Sequence, residues 1–100
     1  MKTKLMAKYE IMTIYKIDLG ESEAKELSNK VSDLIKSLKG KILNQNFWGK
    51  RKFAYEIKHN SEGYYDVFDF EVDSSKLGSF KKKLNLMDNV VRYLITAQKG

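Results

Sequence analysis

From Lys8 to Ile17 the side chains fall into two alternating sets, with Ile11, Thr13, Tyr15 and Ile17 on one side and Glu10, Met12, Ile14 and Lys16 on the other. A period of two in branched and aromatic residues predicts a strand with two distinct faces. The period then lengthens. Ala24, Leu27, Val31, Leu34, Ile35 and Leu38 recur at helical spacing. They predict a first helix, opened by Ser22 as N-cap with acids in its first turn and stopped by Gly40. Lys41 to about Lys58 reads as a second strand with a bulge or bend at Gly49. His59-Asn60-Ser61-Glu62-Gly63 reads as a loop, and Tyr64 to Val72 as a third strand in a hairpin with the second. Asp73-Ser74-Ser75 supplies caps for a second helix with the stripe Leu77, Phe80 and Leu84, and Asp88-Asn89 turns into a last strand, Val90 to Ala97.

The order β-α-β-β-α-β predicts an α+β, ferredoxin-like fold in which two helices cover one face of a four-stranded antiparallel sheet. With no proline, linker or repeat, residues 1–100 read as a single domain. The other sheet face is left open. Strand alternation directs Tyr64, Phe68, Phe70, Val72, Tyr93 and Ile95 toward the helices. It directs Tyr65, Val67, Asp69, Glu71, Arg92, Leu94 and Thr96 away from them, beside Met12 and Ile14. Apolar groups on an open sheet face suit a protein partner.

Composition narrows the chemistry. The 100 residues contain no cysteine, which excludes disulfides, thiolate metal sites and a cysteine nucleophile. The amino-terminal residues lack the apolar run of a secretory signal, and no segment approaches the roughly 20 apolar residues of a membrane span. A soluble, intracellular protein is the expectation. The net charge of +6 favours polyanionic partners. Its distribution is uneven: Lys41, Lys50, Arg51, Lys52 and Lys58 face only Glu56 in residues 41–58, while Glu62, Asp66, Asp69, Glu71 and Asp73 stand without a cation in residues 62–73.

The densest mixture of cations and rings is Trp48-Gly49-Lys50-Arg51-Lys52-Phe53-Ala54-Tyr55-Glu56-Ile57. With Lys8-Tyr9-Glu10-Ile11, Gly63-Tyr64-Tyr65 and Asp88-Asn89-Val90-Val91-Arg92-Tyr93, it makes four words spread along the whole chain. In order and spacing they resemble the bacterial small-subunit ribosomal protein S-six family. The resemblance implies a ferredoxin-like fold, a non-catalytic structural role in the cytoplasmic ribosome, binding to the central domain of small-subunit ribosomal RNA, and association with ribosomal protein S-eighteen. Two departures stand out. Glu56 occupies the place where the family usually has proline after the Ala-Tyr pair, and the sequence ends at Gly100 without the long acidic tail of some members.

Family resemblance and local charge agree on Lys50, Arg51 and Lys52 as RNA contacts, although alternation turns Arg51 away from the other two. Arg92 corresponds to the family's strand-four arginine, and either phosphate or an acid such as Asp69 suits it. Lys8 adjoins the strand-one word and reads as an RNA contact or as a frayed terminal lysine. The partner-protein surface is assigned to Met12, Ile14, Trp48, Tyr55, Val67 and Leu94. Trp48, Phe53 and Tyr55 suit stacking on bases or packing against the partner, but half or more of such rings are core or sheet-edge packing, and none of the three reads as a base reader. Lys81, Lys82 and Lys83 read as a solvated helix face. His59, alone in a polar loop, gives no basis for a metal, and no cofactor is expected.

Two other functions compete. A general RNA-recognition-motif module has the same element order but needs outward rings and a basic residue on strand three, where this chain has Asp69 and Glu71. A small hydrolase of the acylphosphatase kind needs a glycine-rich anion loop. Asn60-Ser61-Glu62-Gly63 puts an acid where phosphate would sit, so no enzyme and no small-molecule substrate is expected.

Overall fold

The computed structural model describes residues 6–57 and 60–98, and the side chains among them other than those of residues 53–57 and 60. The chain runs β1 (Met6–Lys16), α1 (Gly20–Ser37), β2 (Lys41–Ile57), β3 (Asn60–Asp73), α2 (Leu77–Asn85) and β4 (Val90–Gln98), with 3-10 turns at Ile17–Leu19 and Ser74–Lys76. The strands form one antiparallel sheet in the order β2-β3-β1-β4. This is the ferredoxin-like arrangement, with both helices on one face.

The core lies between sheet and helices. Tyr9, Ile11, Tyr15, Phe68, Phe70 and Val72 meet Leu27, Val31 and Ile35 of α1 and Phe80 and Leu84 of α2. Phe70 carries much of the join, with Tyr9 at 5.7 Å and Phe80 edge-on at 5.5 Å between centroids. Along α1, Gln45 Nε2 of β2 donates to Ser28 Oγ at 3.0 Å, and Lys25 Nζ lies 5.9 Å from the Phe47 ring centre. These contacts tie the edge strand β2 to the helix layer.

Several boundaries differ from the sequence expectation. Ser22 does not cap α1, because the 3-10 turn delivers the chain directly into a helix starting at Gly20, which has φ 81°. The acids Glu21 and Glu23 still occupy the first turn, where the helix dipole favours them. At the other end Lys39, not Gly40, takes the left-handed conformation, with φ 63°. Lys39 N donates to Lys36 O at 2.9 Å and Gly40 N to Ile35 O at 3.0 Å, a Schellman pair. Gly40 is needed for space instead, since a Cβ there would stand 2.9 Å from the carbonyl oxygens of both Ile35 and Glu71.

Asp73 accepts from Ser75 N at 3.0 Å and from Ser75 Oγ at 2.9 Å, so it caps the 3-10 turn that leads into α2. Residues 60–63 are strand, not loop. β3 pairs with β1 only as far as Gly63 opposite Lys16, while β2 and β3 continue as a two-stranded arm to Ile57 opposite Asn60. His59 lies outside the described residues. The arm helps to stretch the molecule to 49 × 23 × 22 Å.

Candidate RNA-binding rim and open sheet face

Strand register places the open-face residues in rows across the sheet. At one end Lys16, Gly63 and Arg51 stand side by side. The next row is Arg92, Ile14, Tyr65 and Gly49, followed by Leu94, Met12, Val67 and Asn46. Beyond these come Thr96, Glu10, Asp69 and Asn44, then Gln98, Lys8, Glu71 and Lys41. The face is therefore graded, with cations at one end, apolar and aromatic groups in the middle, acids next, and mixed charge at the far end.

Gly49, with φ 86°, breaks the register between Phe47 and itself. Only glycine adopts such a φ without strain. The bulge brings Trp48 over to the open face, where its ring stacks on Tyr65 at 6.3 Å and 5° between planes. Trp48 is 43% exposed and Leu94 59%, so they are the prominent apolar groups in the middle of this face, while Met6, opposite Asp73, is exposed beyond its far end. Val67 and Met12 are half-buried. Ile14 holds its predicted place but is only 6% exposed, flanked by Tyr65 and Arg92, and so forms floor beneath its neighbours instead of contact surface. The Tyr55 and Phe53 side chains lie outside those described.

Lys50, Arg51 and Lys52 are all exposed. Lys50 is opposite Tyr64 and Lys52 opposite Glu62, whereas Arg51 is opposite Gly63. Pleating thus turns Arg51 toward the open face and the two lysines toward the helix side, giving a cationic rim wrapped around the base of the arm. Arg51 Nη1 donates to Lys50 O at 3.0 Å. Arg92 is exposed one row away on the opposite edge strand.

Asp69 is not Arg92's counterpart: it accepts from Gln98 Nε2 at 3.2 Å, two rows along. Lys8 is exposed at the far end beside Glu71, eight residues or about 26 Å along β1 from Lys16 at roughly 3.3 Å per residue. The structure groups Arg92 with the strand-two cations and leaves Lys8 apart. Lys81, Lys82 and Lys83 are exposed on α2.

Comparison with known proteins identifies the family. Residues 8–97 match the family model for Ribosomal protein S6. The chain belongs to the ribosomal protein S6 family. It is 42% identical over 90 residues to small ribosomal subunit protein bS6 of Symbiobacterium thermophilum, covering 90% of this chain and 95% of that one. The bS6 protein of Fusobacterium nucleatum is 40% identical over 93 residues, covering 93% and 99%. Among solved structures, 30S ribosomal protein S6 from Thermotoga maritima superposes with a TM-score of 0.89 at 32% identity, covering 94% of this chain and 89% of that one. The chain is thus a small-subunit ribosomal protein with a structural, non-enzymatic role, and its place is the ribosome. Among the described residues no helix is long and apolar enough to cross a membrane.

Strand parity already put Lys16 and Tyr65 on the open side of the sheet in this member of the ribosomal protein S6 family, although neither was expected among the site residues. Asp66 is the feature that sequence reasoning missed. It is fully buried on the helix side of β3, where Oδ2 accepts from Tyr15 Oη at 2.7 Å and Thr13 Oγ1 donates to its main-chain oxygen at 3.4 Å. Oδ1 has no hydrogen-bond partner, although the nearby Ser28 hydroxyl favours the charged form. Burial raises the Asp66 carboxyl above the ordinary aspartate value, against the opposing effect of Tyr15, Ser28 and the Val67 amide. Burial, then the Asp66 charge, raises the Tyr15 phenol far above its usual value.

Proposed function

We propose that this small-subunit ribosomal protein binds small-subunit ribosomal RNA through Lys50, Arg51, Lys52 and Arg92, and that ribosomal protein S-eighteen docks on the open sheet face around Trp48, Val67, Met12 and Leu94. The observation that carries the reading is the gradation of that face: cations at the end bearing the arm, exposed apolar groups beside them, and the acids Glu10 and Asp69 beyond. Cations at the rim suit phosphate, and the apolar and acidic part suits a basic protein. RNA and partner then share a boundary near Arg92 and Trp48, so each completes the other's surface. The acids on β3 oppose single-strand stacking and favour recognition of folded RNA by shape.

The test is a pull-down of the purified protein with small-subunit ribosomal RNA, with and without S-eighteen, at increasing salt. With roughly 3–5 phosphates engaged, log affinity falls against log salt with a slope of roughly −2 to −4. A flat response, or unchanged binding by a Lys50/Arg51/Lys52→Ala variant, refutes the rim as the RNA site.

A further inference from the structure

A groove of about 420 Å³ lies between the end of α2 and the start of β4. Leu84, Met87 and Val90 give it an apolar lining, Asn85 and Tyr93 are joined across it by a 2.9 Å hydrogen bond, and Arg92 stands at its rim. Arg92 belongs to the open face of the sheet and Tyr93, opposite Thr13, to the helix face. A groove lined from both faces of one strand opens at that strand's free edge, here at its first residues, Val90 to Tyr93. β4 is the terminal strand of the sheet, so its outward N–H and C=O groups lack a neighbouring strand among the described residues.

Edges that refuse another strand carry prolines, several charges or repeated bulges. Past the bulge at Val91, β4 runs from Arg92 to Gln98 with no proline and one charge. Leu86, beside the groove, is 80% exposed. Residues 74–98 carry Lys76, Lys81, Lys82, Lys83 and Arg92 against Asp88 as the one acid. We propose that the β4 edge and its groove take an extended acidic peptide segment of another protein as an added strand.

Main-chain pairing would hold the segment, apolar side chains would fill the groove and cover Leu86, and acidic side chains would meet the α2 lysines and Arg92. RNA fits this place less well. Leu84, Met87, Val90 and Val91 make much of the lining apolar, and its one ring, Tyr93, has its hydroxyl committed to Asn85. The site shares Arg92 with the proposed RNA rim and strand β4 with Leu94 of the proposed partner surface, but it uses the strand's free edge and the α2 side instead of the open face, and neither reading depends on the other.

The experiment uses the full chain and a fluorescein-labelled peptide alternating glutamate with leucine. Saturable binding is expected, with slowed amide exchange along β4. Lys82→Glu/Lys83→Glu should weaken it by about tenfold, since close charge pairs at interfaces are worth on the order of 1.5 kcal/mol or more, and Leu86→Ser should also weaken it. All three positions are exposed, and an unchanged circular dichroism spectrum confirms folding. A peptide N-methylated at alternate amides should not bind. The proposal is overturned if the labelled peptide fails to bind, if its methylated or lysine-for-glutamate counterpart binds as tightly, or if single-stranded RNA protects the same amides more strongly.

Discussion

Asp66 occupies an inward position of β3 between Tyr64 and Phe68, and its charged form lacks the water that would solvate it outside. Because its folded pKa is raised, its contribution to stability is fully present below the unfolded value of about 3.9 and is lost as pH rises through the folded value. At neutral pH, above the unfolded value, Asp66 therefore weakens the fold relative to acid pH. Asp66→Asn keeps an acceptor for Tyr15 and supplies a neutral donor toward Ser28, so urea unfolding should show a gain in stability at pH 7 that shrinks toward pH 4. A gain independent of pH would show that charge is not the cause. Tyr15→Phe strips Oδ2 of its donor and should cost about 1–3 kcal/mol at pH 7 by the same measurement. Asp66 shares the parity of Phe68 and Phe70, yet the sequence reading counted it only among the acids of residues 62–73. Its donor stayed hidden too, since Tyr15 lies 51 positions away and only the β1–β3 register makes them neighbours.

At the scale of elements, all four strands and both helices were legible, because a period of two or of 3.6 is imposed by burial against one shared core. Their ends were not. Ser22 has the chemistry of a cap, but the 3-10 turn after β1 sets the helix start three residues earlier, with Leu19 at the cap position. Residues 60–63 look like a loop by composition, yet pairing with β2 extends them as strand. Gly40 marked the end of α1 for a different reason from the expected one. Lys39→Gly should add about 0.5–1 kcal/mol by relieving the positive φ of a residue with a Cβ. Gly40→Ala should cost about 1–3 kcal/mol, because the two crowded oxygens are main-chain and cannot swing away. Thermal unfolding of the two single variants separates conformational freedom from space, and equal effects would contradict this division of labour.

For the whole molecule, the sequence revealed the cationic block but not its shape, since only the sheet order brings Arg92 to the strand-two end and leaves Lys8 about 26 Å along β1 from Lys16 at roughly 3.3 Å per residue. That geometry separates two kinds of damage. Arg51→Glu/Lys52→Glu alters exposed rim charges, so affinity for ribosomal RNA should fall by on the order of tenfold or more at low salt while association with S-eighteen persists. Trp48→Ala/Leu94→Asp removes the two prominent apolar groups and adds an acid in the middle of the open face. It should abolish S-eighteen binding, and RNA binding by the protein alone should change far less. Lys8→Ala should leave both untouched. Electrophoretic mobility shifts for RNA and calorimetry for the partner give the four combinations directly. If each double variant damaged both interactions equally, rim and face would be one surface, and the gradation across the sheet would not be the basis of its two partners.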